Sequence, residues 1–309
     1  MVKFGVRNGV QRYQCRVCKV TRSDSPENPL VNLRVPFEKA VQVVSLLCES
    51  NGIRACERLT GLNRRTVLNI LDVAGQKALA VLDDKIRNVN AEFVQVDEIH
   101  TFVQCKAYRT TPYDLERGDF FTYLSVDRAS KLIINWHTSK RNNENTLAFL
   151  NDLKARVRGH FQLTTDAFAG YVTRGSAGGV RNVFGNTIDH ATEVKIFGRE
   201  TTNPWFSRNP LTVIGIKRQA RLGNPDMSMA TTCHAERTNL SVRTFTRRFT
   251  RCTLGYSKTL ENLRHAVALF VAHFNFCRVH SAHGRTPAQA AGLTDHAWKV
   301  DELLNYSIS

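Results

Sequence analysis

No apolar run in the sequence approaches the roughly 20 residues that cross a bilayer. The opening residues, MVKFGVRNGVQRYQC, also lack the apolar core of a secretory leader. Neither a membrane role nor export is expected, and the compartment expected is the cytoplasm, at the nucleoid. Negative charge is scarce: 27 Asp and Glu stand against 43 Lys and Arg, for a formal net charge of +16. Such an excess calls for a polyanion. Double-stranded DNA suits it better than a membrane surface, since no amphipathic anchor is visible. Closely paired cysteines are scarce as well. Of eight, only Cys15 and Cys18 are near neighbours, and the rest lie scattered in apolar contexts. That pattern suits a reducing compartment and excludes a disulfide scaffold. Internal repeats and low-complexity tracts are absent.

What is present divides into four stretches. Residues 1–34 are basic and read as loop-like, centred on RYQCRVCK. Cys15 and Cys18 have the spacing of one zinc knuckle, half of a tetrahedral Zn²⁺ site, and no second CxxC supplies the other half. The alternative is a reduced pair in an incomplete ribbon. Residues 35–89 read as helices. Phe37, Val41, Val44 and Leu47 fall on one helical face, Ile53 to Leu59 form a short helix, and Gly61 makes a turn. Asn63 then caps a helix from Arg64, with Val67 and Ile70 facing inward. The pattern is that of a helix-turn-helix domain, with Asn63, Arg64, Arg65 and Thr66 at the DNA-reading end. An ordinary three-helix bundle is the alternative, and Glu57 stands four before Gly61, where a small residue usually packs.

Residues 90–257 change character. AEFVQVDEIHTFV is a β-rich run with Asp97 and Glu98 near its middle. Strands follow at 120–126 and 131–137, joined by a turn at Asp127–Ser130, then a helix carrying Leu147, Leu150, Leu153 and Val157. A short strand ends at Asp166. The order of strands and helices predicts an α/β, ribonuclease H-like catalytic layer with the first strand central and the Asp166 strand beside it. The basic region 173–230 reads as loops and short strands, and 234–252 as one helix carrying Glu236 among arginines. Residues 258–309 read as C-terminal helices, with Thr286 as N-cap and Pro287 at the first helical position.

Phosphodiester chemistry without a covalent enzyme intermediate commonly uses two Mg²⁺ ions, for which carboxylate oxygens are the fitting ligands. Asp97, Asp166 and Glu236 form a possible set, their separations of 69 and 70 residues leaving the fold to unite them. Each has another reading. Glu98 competes with Asp97, since adjacent strand residues face opposite ways. Asp166 could be an N-cap, and Glu236 could pair with an arginine on its own helix.

The blocks VDEIHTFV, LTTDAFAGY, GNPDMSMATTCHAERTNLSVRTFTRRFTR and NFCRVHSAHGRTPAQAAGL, in this order, carry a resemblance. With NGVQRYQCRVCK and DHAWKVDELL they make nearly the whole chain similar to the DDE-superfamily transposases of bacterial insertion sequences, of the insertion-sequence-one type. The resemblance implies that Asp97, Asp166 and Glu236 bind two Mg²⁺ or Mn²⁺ ions. It implies that Arg243, seven residues after Glu236, holds a phosphate near them. Arg247, Arg248 and Arg251 are expected to grip DNA along the same helix. The NFCRVH block favours Glu236 over Glu261 as the third acid, since Glu236 lies 39 residues before Asn275 and Glu261 only 14. The chain departs from the family in lacking the first CxxC pair and in carrying His100 where Trp is frequent.

The expected function is that of a transposase that binds the element's terminal inverted repeats, frees a 3′-hydroxyl and directs it at target DNA. Two protomers or more are implied, because two DNA ends must be held together. A catalytically inert DNA-binding regulator or remnant, and a structure-selective nuclease on the same fold, are the alternatives.

Overall fold

The computed structural model describes residues 1–7, 10–23, 35–111, 113–172, 179–198 and 212–307. At the N-terminus, β1 (Val2–Arg7), β2 (Val10–Gln14) and β3 (Thr21–Ser23) form a three-stranded antiparallel sheet, not the loop-like stretch expected. In VKFGVR the apolar Val2, Phe4 and Val6 recur at every second position, a period-2 pattern that the basic composition obscures.

Helices α1 (Phe37–Cys48), α2 (Ile53–Thr60) and α3 (Arg64–Lys85) follow. Gly61 ends α2 at φ +72°, a left-handed backbone that glycine adopts without steric cost. The Asn63 side chain accepts from Arg65 N at 2.9 Å. Glu57 fits for a reason of its own: its Oε1 accepts from Arg64 N at 3.1 Å, so it caps the next helix. Val43, Val44, Cys56, Val67 and Ile70 make a small core that also includes Ala266, Leu269 and Leu304 from the C-terminal region. Further along α3, Ala78, Val81 and Leu82 belong to the main core under the sheet. One helix therefore runs through both.

The main sheet is built from β4 (Phe93–Val103), β5 (Gly118–Asp127), β6 (Ile133–Ser139), β7 (Gln162–Thr165), β8 (Asp189–Gly198) and β9 (Thr212–Leu222). Their order is β6-β5-β4-β7-β8-β9. β4 is antiparallel to β5 and parallel to β7, so the strand carrying Asp97 is interior and the one leading to Asp166 adjoins it. Asp127 closes its turn by accepting from Ser130 N at 2.8 Å. Between the strands run α4 (Asn143–Arg156), capped by Asn142, and the short α5 (Ala169–Val172) and α6 (Val180–Phe184). This six-stranded mixed sheet with covering helices is compatible with a ribonuclease H-like fold.

Two expectations need correction here. Region 173–230 is not short strands: β8 and β9 are ten and eleven residues long and pair antiparallel at one end of the sheet. β9 is exposed along nearly its whole length, so no buried face marks it by alternation. The helix expected over 234–252 is α7 (Cys233–Phe245), which stops at Thr246 in an extended conformation. A single 3₁₀ turn, Arg247–Phe249, follows and buries Phe249.

The chain ends with α8 (Leu260–Ala272), a π turn over His273–Cys277, α9 (Pro287–Ala290) and α10 (Val300–Asn305). Thr286 and Gln289 form a reciprocal capping box at α9. In the π turn, fully buried Asn275 accepts from Ile133 N at 3.0 Å and donates to Ile133 O at 2.9 Å. The NFCRVH block thus anchors the start of β6. Among the described residues, no helix is long and apolar enough to cross a membrane.

Candidate active site

Asp97 sits mid-strand on β4, where burial disfavours its charge. Its carboxyl is raised to about 6, first by burial and then by repulsion from Glu236 and Asp166. Asp97 therefore feels the charges of two acids that lie 69 and 139 residues further along the sequence. Two donors oppose the shift: Glu98 N at 2.9 Å from Oδ1 and Asn239 Nδ2 at 2.8 Å from Oδ2. Asn239 lies on α7, three residues after Glu236. The helix is seated on β4 by Gln95, whose Oε1 accepts from His234 N at 2.8 Å and Ala235 N at 3.3 Å.

Glu236 is half-buried. It accepts at Oε1 from Thr232 Oγ1 at 2.8 Å, and Lys195 of β8 lies against both of its oxygens. Thr232 is itself held by Glu193, a buried acid that accepts from Thr232 N at 3.1 Å and pairs with Arg218 at 2.9 Å. Those contacts hold the Glu193 carboxyl below the usual range despite its burial. Asp166 follows β7 directly. Its Oδ1 accepts from Phe168 N at 2.9 Å, so it performs the turn role as well as facing the other acids.

Glu98 points to the other side of β4, as adjacent strand residues must. Tyr171 OH donates to it, and Arg141 pairs with it at 2.8 Å. Arg141 also reaches Asp166 at 3.5 Å and stacks over Phe168, 3.8 Å from its ring centre. Burial, then repulsion from Asp166, raises the Glu98 carboxyl to about 7. His100, the departure from Trp, is exposed and lies 3.2 Å from Asp119 Oδ2.

Arg243 is half-buried two turns along α7 and close enough to Asp97 for attraction between them, while Arg251 repels it. The basic residues beyond α7 divide. Arg247 and Arg251 are exposed. Arg248 is turned inward, donating to Ser257 Oγ at 2.8 Å, and burial lowers its guanidinium to about 10. It lies on the 3₁₀ turn after α7, not on the helix of Arg243. Asn63, Arg64 and Arg65 are exposed at the start of α3, and Thr66 is half-buried. Arg199 and Arg208 lie outside the described residues.

Three hard carboxylates fit Mg²⁺ or Mn²⁺ by donor chemistry. A divalent cation would favour the charged form of Asp97, which burial and then the two neighbouring acids disfavour. Among the described residues, these oxygens do not crowd to within 4.8 Å of one another. Cys15 and Cys18 occupy the turn between β2 and β3. The Cys18 and Val17 backbone N–H groups lower the Cys15 thiol, in the manner of a knuckle presenting a thiolate. Among the described residues, no third ligand atom completes a set with them.

Arg141 and Glu193 lie outside the resembling blocks, and the partners of Tyr171, Lys195 and Thr232 are not indicated by sequence position. Tyr171 is 73 residues from Glu98 and Lys195 41 from Glu236. Asn239 stands in the resembling block, but its hydrogen bond to Asp97 required the fold.

No family model matches the chain, and no curated protein matches it. Among solved structures, it is similar to a chain of the simian T-cell lymphotropic virus intasome in complex with PP2A regulatory subunit B56 gamma. That overlap has a TM-score of 0.39 at 15% identity, covering 82% of this chain and 74% of that one. A second likeness is to a piggyBac transposase synaptic complex with hairpin DNA, with a TM-score of 0.36 at 8% identity. It covers 91% of this chain and 74% of the other. Both superpositions are loose, and the functional reading rests on the residues themselves.

Proposed function

We propose that the protein is a DDE-type DNA transposase, with Asp97, Asp166 and Glu236 as its metal-binding acids. The observation that carries the reading is the placement of buried Asp97 on β4 where Glu236 of α7 and Asp166 after β7, far apart in sequence, add their repulsion to the burial that raises its carboxyl. A cluster of mutually repelling acids costs stability, and such clusters gather at functional sites.

Two divalent ions bound there would activate the attacking oxygen and stabilise the leaving one. The chain's own residues do the rest. Asn239 fixes the orientation of Asp97, and Thr232, held by Glu193, fixes Glu236. Arg243 binds a phosphate beside the acids, with Arg251 extending the positive surface. Asn63, Arg64 and Arg65 at the start of α3 read the terminal repeat from a helix-turn-helix. In the first step a water oxygen bonds to phosphorus and the bond to the 3′ oxygen breaks, leaving a 3′-hydroxyl. In the second that hydroxyl attacks a target phosphodiester and displaces its 3′ oxygen. Holding two ends for joining calls for at least two protomers.

The test is incubation with Mn²⁺ or Mg²⁺, a labelled transposon end and a plasmid target. Joined product that disappears with Asp97→Ala is the expected result. Cleavage without joining would replace the proposal with a nuclease, and sequence-specific binding with neither product would replace it with a regulator.

A further inference from the structure

Away from the acids, α3 and α8 cross at Gly75. A Cβ there would lie 2.3 Å from His265 Cβ, so the backbone of α3 is pressed directly onto the histidine. His265 is 5% exposed, and its Nδ1 is buried with no hydrogen-bond partner. Asp72 Oδ1 lies only 2.8 Å from that nitrogen, but the ring N–H is not aimed at it. A buried ring nitrogen left without a hydrogen bond is destabilising, which calls for an explanation. Glu261 stands four residues before His265 on α8, one turn away on the same face. Ligand atoms of Asp72, Glu261 and His265 all lie within 4.8 Å of one another.

We propose that these three residues form a transition-metal site, of the kind Zn²⁺ occupies, that staples α3 to α8. One imidazole nitrogen and two carboxylates are a Zn²⁺ donor set, with water completing a tetrahedron. The nitrogen disfavours Mg²⁺ and Ca²⁺, which take oxygen ligands. Two carboxylates balance the ion's double charge, and the orphaned Nδ1 gains a partner. Bonds of about 2.0–2.2 Å set tetrahedral ligands roughly 3.4 Å apart. Exposed Glu261 and half-buried Asp72 have the rotamer freedom to adjust to that spacing, Asp72 by moving slightly outward from 2.8 Å, while His265 is fixed by the crossing. Asp72 Oδ1 also accepts weakly from Gln76 Nε2 at 3.4 Å, a contact the ion would supersede. The site stands apart from the catalytic reading and does not depend on it.

The experiment uses the full chain with Cys15→Ser, Cys18→Ser, Cys233→Ser, Cys252→Ser and Asp97→Asn, which removes the paired and the exposed thiols and weakens the acid cluster. Dialysis against Zn²⁺ should leave one bound equivalent, and Zn²⁺ should raise the melting temperature in a concentration-dependent way. Loss even of a group that merely supports a ligand weakens metal binding about 10–100-fold. Glu261→Gln, an exposed change that leaves the fold intact, should therefore weaken Zn²⁺ by more than about tenfold. His265→Gln should abolish the bound equivalent. The Co²⁺ form should absorb in the visible without a thiolate charge-transfer band. No retained Zn²⁺, or Zn²⁺ retained equally by the Glu261→Gln and His265→Gln chains, would overturn the site and leave His265 and Asp72 as an ion pair.

Discussion

Asn239 Nδ2 donates to Asp97 Oδ2 across 2.8 Å, so a residue of α7 orients the carboxylate of the neighbouring strand β4. A hydrogen bond to a charged acceptor contributes about 1.5–3 kcal/mol. Asn239→Ala should accordingly lower the rate of strand joining by about 10–100-fold. It should also raise the Asp97 carboxyl further, because the amide is one of the groups holding it down. Carboxyl titration followed by NMR in the metal-free protein reads this directly. An unchanged Asp97 titration with lost activity would assign Asn239 a different role.

The raised Asp97 carboxyl has a consequence for stability. The folded state holds this proton up to about pH 6, whereas the group's ordinary value is 3.8. Folding is therefore favoured at low pH and loses on the order of 3 kcal/mol as pH rises through that window. Asp97→Asn should melt higher than the parent at pH 7.5 without divalent ions, the gain vanishing near pH 4. Asn239 can rotate its amide to match, since its buried Oδ1 has no partner. Mn²⁺ should raise the melting temperature of the parent more than that of the variant. Equal melting of the two chains at pH 7.5 would count against the acid cluster.

The inward turn of Arg248 separates the basic residues experimentally. Arg251→Ala and Arg65→Ala should each weaken DNA binding and reduce the slope of log affinity against log salt by about 1. Arg248→Ala should leave that slope unchanged and lower the melting temperature, because its guanidinium secures Ser257. Filter binding across a salt series, beside thermal melts, distinguishes the two classes.

Lys195 covers both oxygens of Glu236 and so competes with any cation that binds there. Lys195→Met should lower the Mn²⁺ concentration that half-saturates the site, by about threefold to tenfold for a gain of roughly 1 kcal/mol, the size of a part-exposed ion pair. Mn²⁺ titration by electron paramagnetic resonance measures it, and weaker Mn²⁺ binding in the variant would show that Lys195 supports the site.

How far the sequence alone reached depended on local signals. β4 and the strand before Asp166 could be read because apolar runs flank each acid, and α3 because Gly61 and Asn63 punctuate it. β8 and β9 escaped, since Lys195, Lys217 and Arg218 interrupt their Val and Ile and β9 buries almost nothing. The arginines after Phe245 are good helix formers, which masked the stop imposed by Thr246 and by burial of Phe249. Of the candidate site, the acids and Arg243 were marked by their blocks. Arg141, Tyr171 and Lys195 act across the fold, and no spacing rule connects residues on different strands and helices.

The helix α3 joins two cores without a break. Its 22 residues, at about 1.5 Å each, make a rod roughly 33 Å long. Under the proposed function, a duplex gripped at Asn63 and Arg65 would be held by a ruler whose far end is embedded beneath the main sheet. Cutting would then fall at a set number of base pairs from the sequence recognised, measured by the protein's own length. A flexible linker would instead scatter the cuts.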